Sequence, residues 1–145
     1  MANVCINLVA MLNVAVRVKA FMRREMISID SKRTIKEAVK RMVRYDIGSI
    51  VITNHGNPVG IVTERDVLRR ALMASKRPNR PVKEIMSSPL ITIDSLATIG
   101  EVAELMSNRD IRRVLVTEND KVVGIITQRD VQKALLDTFN TLIIS

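Results

Sequence analysis

Residues 22–71 and 86–135 are one segment written twice, without a gap, at a constant offset of 86 − 22 = 64 positions. Over those 50 aligned positions, 19 are identical. Ile27-Ser28-Ile29-Asp30-Ser31 matches Ile91-Thr92-Ile93-Asp94-Ser95, and Gly60 to Val67 matches Gly124 to Val131. Thr34…Glu37 returns as Thr98…Glu101, and Asp46-Ile47 returns as Asp110-Ile111. No other feature restricts the fold as much. An ungapped repeat must build the same local structure twice, and such units gain stability by packing on one another.

Each copy reads in the same order. A short extended piece (Met26 to Ile29; Leu90 to Ile93) leads to Thr34…Glu37 or Thr98…Glu101. There the Thr hydroxyl and Glu carboxylate can satisfy the free N–H groups that open a helix. Ile35, Ala38, Val39, Met42 and Val43 then form an apolar helical stripe, with Ile99, Val102, Ala103 and Met106 as counterparts. Two β-branched runs follow, Ile50–Ile52 and Val59–Val62, around the turn-prone Asn54-His55-Gly56-Asn57-Pro58. In the second copy Val114–Val116 and Val122–Ile126 flank Glu118-Asn119-Asp120-Lys121. A second helix starts after Thr63 and after Thr127, with Val67, Leu68, Ala71 and Leu72 on one side in the first copy.

The expected class is α+β, with tandem β-α-β-β-α repeats related by a pseudo-two-fold axis. Three short strands make a marginal sheet alone, so the sheets are expected to pack together with helices outside. The expected boundaries are an apolar N-terminal segment (1–15), repeat 1 (16–75), a linker (76–81), repeat 2 (82–137) and a C-terminal tail (138–145). The opening stretch is too short for a span of about 20 residues, and Asn3, Asn7 and Asn13 interrupt it. It reads as a segment that packs on the domain or a second subunit rather than a targeting signal.

Composition removes several classes of function. His55 and Cys5 are the sole histidine and cysteine, too few for the usual Zn or haem ligand sets or a Ser-His-Asp or Cys-His constellation. No Gly-x-Gly-x-x-Gly or Walker A loop occurs, so a non-enzyme is expected. One cysteine and no membrane span fit a cytoplasmic protein. Of the net charge of +8, residues 1–75 carry 13 − 6 = +7 and residues 76–145 carry 10 − 9 = +1. That asymmetry fits an anionic ligand or nucleic acid, or else a solvated face, since Lys36, Lys40, Arg41 and Arg44 fall on the polar side of the first helix.

The strand, Gly-Ile-Val-Thr-x-Arg-Asp and helix, doubled about 60 residues apart with the Ser88-Pro89-Leu90-Ile91-Thr92-Ile93 lead-in, resembles the CBS (cystathionine β-synthase) domain. The pair resembles a stand-alone Bateman module across roughly residues 16–137. The resemblance implies a regulatory module binding AMP, ADP, ATP or S-adenosylmethionine in clefts between the copies. It further implies a homodimer formed through helices and a regulated protein that receives the signal. The alternatives are a basic nucleic-acid-binding protein and a ligand-free dimerisation module.

Under that resemblance Thr63 and Thr127 donate to phosphate at a strand-to-helix junction. Asp66 and Asp130 accept hydrogen bonds from a ribose diol. Thr-x-x-Asp equally fits a capping box, and both readings stay open. Backbone groups at Ile27-Ser28 and Ile91-Thr92 read the adenine edge, unless these are core strands only. Arg112 and Arg113 contact phosphate, or else are solvated surface. Gly48 and Ser49 occupy the matching positions, so the two sites are expected to be unequal. Arg65 and Arg129 either reach phosphate or pair with a neighbouring carboxylate.

Overall fold

The computed structural model describes residues 16–144. The apolar opening segment and Cys5 lie outside them.

In the first copy β1 (Ser28–Asp30) runs parallel to β2 (Ser49–Asn54), which is antiparallel to β3 (Asn57–Thr63). Helix α1 (Ile35–Arg44) crosses between β1 and β2. After β3 comes α2, a turn of α-helix at Glu64–Asp66 that continues as a π-helical run, Val67–Leu72. The second copy repeats this with β4 (Thr92–Asp94), α3 (Ile99–Arg109), β5 (Arg113–Glu118), β6 (Lys121–Thr127) and α4 (Gln128–Ile144). The register repeats as well: Ser28 faces Val51 and Thr92 faces Leu115, with matching irregularities at Ile52/Thr53 and Val116/Thr117. Among the described residues the fold is α+β, two three-stranded sheets with four helices.

The repeated residues explain themselves one by one. Thr34 and Thr98 each accept the N–H three residues on, while Glu37 and Glu101 reach back to the Thr N–H, completing both capping boxes. At the far end the Ile47 and Ile111 N–H groups donate to the Met42 and Met106 carbonyls, and Asp46 and Asp110 sit at φ 51° and 50°. These are Schellman closures, with the left-handed residue supplied by an aspartate. His55-Gly56 and Asn119-Asp120 all have positive φ, the backbone of a two-residue hairpin turn whose twist suits its strands.

Two expectations about packing are corrected. Val43 belongs to the apolar stripe of α1 but is 76% exposed, and Leu68 and Leu72, on the same side as Ala71, are exposed too. Residues four apart drift about 40° around a helix, so Ile35, Val39 and Val43 fan away from the sheet. Ile35, Ala38 and Met42 face it and are buried. In α2 the π-helical winding leaves Ala71 inside and turns its larger neighbours outward. At the C-terminus α4 continues to Ile144.

The lead-ins carry the main departure from a simple tandem. A 3-10 turn at Val18–Ala20 precedes the first copy, yet Val18 is buried among Ile99, Val102, Val114 and Ile126 of the second. A 3-10 turn at Val82–Glu84 precedes the second copy, yet Val82 and Ile85 are buried among Ile29, Ile35, Ile50 and Val62 of the first. One compact unit is therefore residues 26–91; among the described residues, the other joins 16–25 to 92–144. Burying each such side chain contributes about 1.5–3 kcal/mol. The stretch around the linker also caps α1, whose Ile35 and Lys36 N–H groups donate to the Arg80 and Pro78 carbonyls. Arg80 grips Glu84 through two bonds of 2.9 and 2.6 Å, which holds the Glu84 carboxyl below the usual carboxylate range.

Twin glycines let each lead-in lie against its sheet. Ile61 exchanges both backbone bonds with Ser87 (3.2 and 2.9 Å), and Arg23 does so with Ile125 (2.8 and 2.9 Å). A Cβ on Gly60 would stand 2.6 Å from Met86 Sδ, and one on Gly124 would stand 2.6 Å from the Arg23 carbonyl oxygen.

Candidate functional site

Because β1 and β2 are parallel and β3 returns, the starts of β1 and β2, the end of β3 and the start of α2 meet at one edge of the first sheet. Ser49 is paired with Thr63 there, and Ser28 is paired with Val51 two residues along. In the second sheet Arg113 is paired with Thr127 and Thr92 with Leu115. The junctions are closed by the Gly48 carbonyl accepting from the Glu64 N–H (3.1 Å) and the Arg112 carbonyl accepting from the Gln128 N–H (2.8 Å). Each unit thus gathers most of its own expected site residues.

The acidic residues are the best defined. Asp66 and Asp130 are 8% and 5% exposed, unusual for carboxylates unless they are partnered. Asp66 Oδ2 accepts the Thr63 N–H at 2.9 Å and the Thr63 hydroxyl at 3.1 Å, while the Asp66 N–H donates to Thr63 Oγ1 at 3.2 Å. Asp130 and Thr127 repeat the three bonds at 2.9, 2.9 and 3.3 Å. Thr-x-x-Asp is a capping box in both copies, and the Thr hydroxyl proton is held by the aspartate. Only Oδ2 takes part in the box; Oδ1 points to other groups.

Those groups went unnoticed in the sequence, and they differ between copies. Asp66 Oδ1 lies 3.5 Å from Ser87 Oγ and 3.7 Å from Arg70 Nε. Asp130 Oδ1 lies 3.5 Å from Arg23 Nε. Ser87 and Arg23 occupy equivalent repeat positions (87 − 64 = 23), and the equivalent of Arg70 is the buried Ala134 (70 + 64 = 134). Each buried carboxylate has one guanidinium beside it, delivered by the helix in one copy and the lead-in in the other. Both arginine side chains are at least half exposed, so each pair contributes less than about 1 kcal/mol. The alignment exposed the Ser87/Arg23 difference, but nothing local says that a residue before one sheet faces a carboxylate after it.

The remaining expected residues are placed as follows. Ile27 is half-buried against the first core and its carbonyl accepts from the Val51 N–H at 3.1 Å. The Ser28 carbonyl accepts from the Arg41 guanidinium. Ile91 is half-buried just before β4, and Thr92 is exposed. Arg113 is half-buried, whereas Arg65, Arg112 and Arg129 are exposed at the same edges. His55 is exposed at its hairpin tip. Among the described residues no group of three or more His, Cys, Asp or Glu is placed to hold a metal ion. Nor is any described helix long and apolar enough to cross a membrane.

A model of the CBS domain matches residues 18–72 and 82–137, both copies in full. The chain belongs to the CBS-domain family. An uncharacterized protein of Methanopyrus kandleri is 36% identical over 112 residues, 75% of this chain and 57% of its own length. One from Methanocaldococcus jannaschii is 34% identical over 135 residues, 83% of this chain but 32% of its own length. The chain thus spans only about half or a third of these two relatives. Among solved structures, an uncharacterized conserved protein from Pyrococcus horikoshii superposes with a TM-score of 0.78 at 32% identity, covering 82% of this chain and 91% of that one. A CBS domain protein from Pyrobaculum aerophilum, solved in complex with AMP, gives 0.73 at 28% identity, covering 84% and 99%.

Proposed function

We propose that this CBS pair is a regulatory module that binds an adenosine nucleotide, AMP foremost, and signals its occupancy to a partner protein. It acts without catalysing a reaction, in the cytoplasm and as a homodimer. The observation that carries the reading is the twin buried aspartate. Oδ2 is committed to the helix cap, while Oδ1 keeps only loose contacts at 3.5–3.7 Å and can accept a ribose hydroxyl. Arg112, Arg113 and Arg129 at the edge of the second sheet, and Arg65 at that of the first, supply cations for phosphate. The AMP complex of the Pyrobaculum aerophilum relative supports the choice of ligand. Signalling follows if ligand binds one arrangement of the dimer more tightly than another.

Calorimetry with AMP, ADP, ATP and S-adenosylmethionine tests this. At least one ligand is expected to bind below about 1 mM, some −4 kcal/mol, and Asp66→Ala with Asp130→Ala is expected to abolish that binding. Losing a cap costs about 1 kcal/mol, so Thr98→Ala serves as a cap-loss control with binding intact. Binding by none of the four, or full binding by the double variant, overturns the reading.

A further inference from the structure

We propose that Arg23 and Arg70 are counterpart specificity residues, each resting on the spare oxygen of a buried aspartate and turning onto phosphate when a phosphorylated nucleoside takes that oxygen. The inference rests on the nucleotide-binding reading above and adds to it which residues distinguish a nucleotide from a nucleoside.

The argument begins with the exchange of positions between the copies. The two copies do not supply their guanidinium from one shared repeat position. Instead the first copy has Ser87 with Arg70, and the second has Arg23 with Ala134. Both routes put Nε at nearly the same distance from Oδ1, 3.7 and 3.5 Å. Neither contact is a tight hydrogen bond, and the side chains of Arg70 and Arg23 are 50% and 63% exposed. A ribose hydroxyl can therefore displace the guanidinium from Oδ1 at small cost. Released, the guanidinium is a planar donor fork beside the bound sugar, suited to a phosphate on that sugar.

The two arginines are not held equally. The Arg70 guanidinium also donates to the Met86 carbonyl at 2.9 Å. Arg23 is anchored through its backbone, on Ile125, and its head stays in solvent. Release is easier for Arg23, so the second copy should show the larger response.

The test compares AMP with adenosine, which has the ribose and no phosphate, on the wild type, Arg23→Ala, Arg70→Ala and Arg24→Ala. Arg24 is exposed and paired with Glu118, so its variant removes one nearby charge without touching either aspartate. Expected is a loss of AMP affinity of about tenfold in Arg23→Ala and less in Arg70→Ala. Adenosine affinity should hold or rise, because Oδ1 is freed, and Arg24→Ala should leave the ratio of the two affinities unchanged. If both ligands weaken together, the arginines merely order the aspartates and the proposal falls. It falls too if the ratio is unchanged, or if Arg24→Ala shifts it as much. If the wild type binds neither ligand, the nucleotide reading itself fails and takes this proposal with it. Thermal unfolding of each variant confirms that it is folded.

Discussion

Gly60 and Gly124 show how one atom decides whether a chain segment can lie where it does. Both are buried, and both meet a lead-in crossing β3 or β6. The obstacles differ in kind. At Gly60 the nearest atom is the Met86 sulfur, at the flexible end of a side chain, although the Ser87 carbonyl stands at 3.0 Å. At Gly124 it is the backbone oxygen of Arg23 at 2.6 Å, which accepts the N–H of the adjacent Ile125 while the Arg23 N–H donates to the Ile125 carbonyl. Gly124→Ala is therefore expected to destabilise by about 1–3 kcal/mol, the usual cost of overpacking. Gly60→Ala should cost less, because Met86 can turn away. Urea unfolding of the two variants checks the order; equal losses would mean that the lead-in backbone moves as freely as a methionine side chain.

At the scale of elements, the capping boxes and Schellman closures begin and end α1 and α3 in the same way, through Thr34, Asp46 and their counterparts. These are local devices, and they act wherever the chain places them. The 3-10 turns differ, because each buries its apolar residues in the copy it does not precede. Ile85 is fully buried, and truncating a buried Ile costs about 2–5 kcal/mol. The core it joins includes Ile29, Ile35, Ile50, Ile52 and Val62 of the first copy. Ile85→Ala is thus expected to weaken amide exchange protection in β1, β2 and α1 far more than in β5, β6 and α3. The opposite pattern would place Ile85 in the core of its own repeat.

For the whole molecule, the exposed apolar residues are the open account. Val43, Leu68, Leu72 and Met73 are exposed in the first copy, and Leu136, Phe139 and Ile143 along α4 in the second. Val39, Met42, Val43, Val67 and Leu68 line a groove of about 460 Å³ between α1 and α2. An apolar surface of this kind is a common mark of an association site, and the proposed homodimer would cover it. Leu68→Glu sets a charge into that groove without altering a buried residue. It is expected to convert a dimer to a monomer in light scattering after size exclusion, with the far-ultraviolet circular dichroism unchanged. A wild type that is monomeric at all concentrations would remove homodimerisation from the proposal.

The duplication, the order of elements, the two capping boxes, the hairpin turns and the aspartates at the strand-to-helix junctions are legible in the chain alone. Each depends on residues within a few positions of one another, so 64-residue periodicity and local hydrogen-bond chemistry suffice to read them. Tertiary structure alone decided which core each lead-in completes, because Val18 and Ile99 lie 81 positions apart (99 − 18) and periodicity ranks both simply as apolar. It also decided that Val43 and Leu68 stay exposed, since a helical stripe shows which residues share a side but not how wide a sheet lies beneath them. Last, it placed Arg23 on Asp130, whereas Arg70 and Asp66 lie four apart on one helix, a pairing that sequence spacing already allows. The sequence shows Arg23 and Asp130, but the distance between them is set only when the lead-in crosses the sheet.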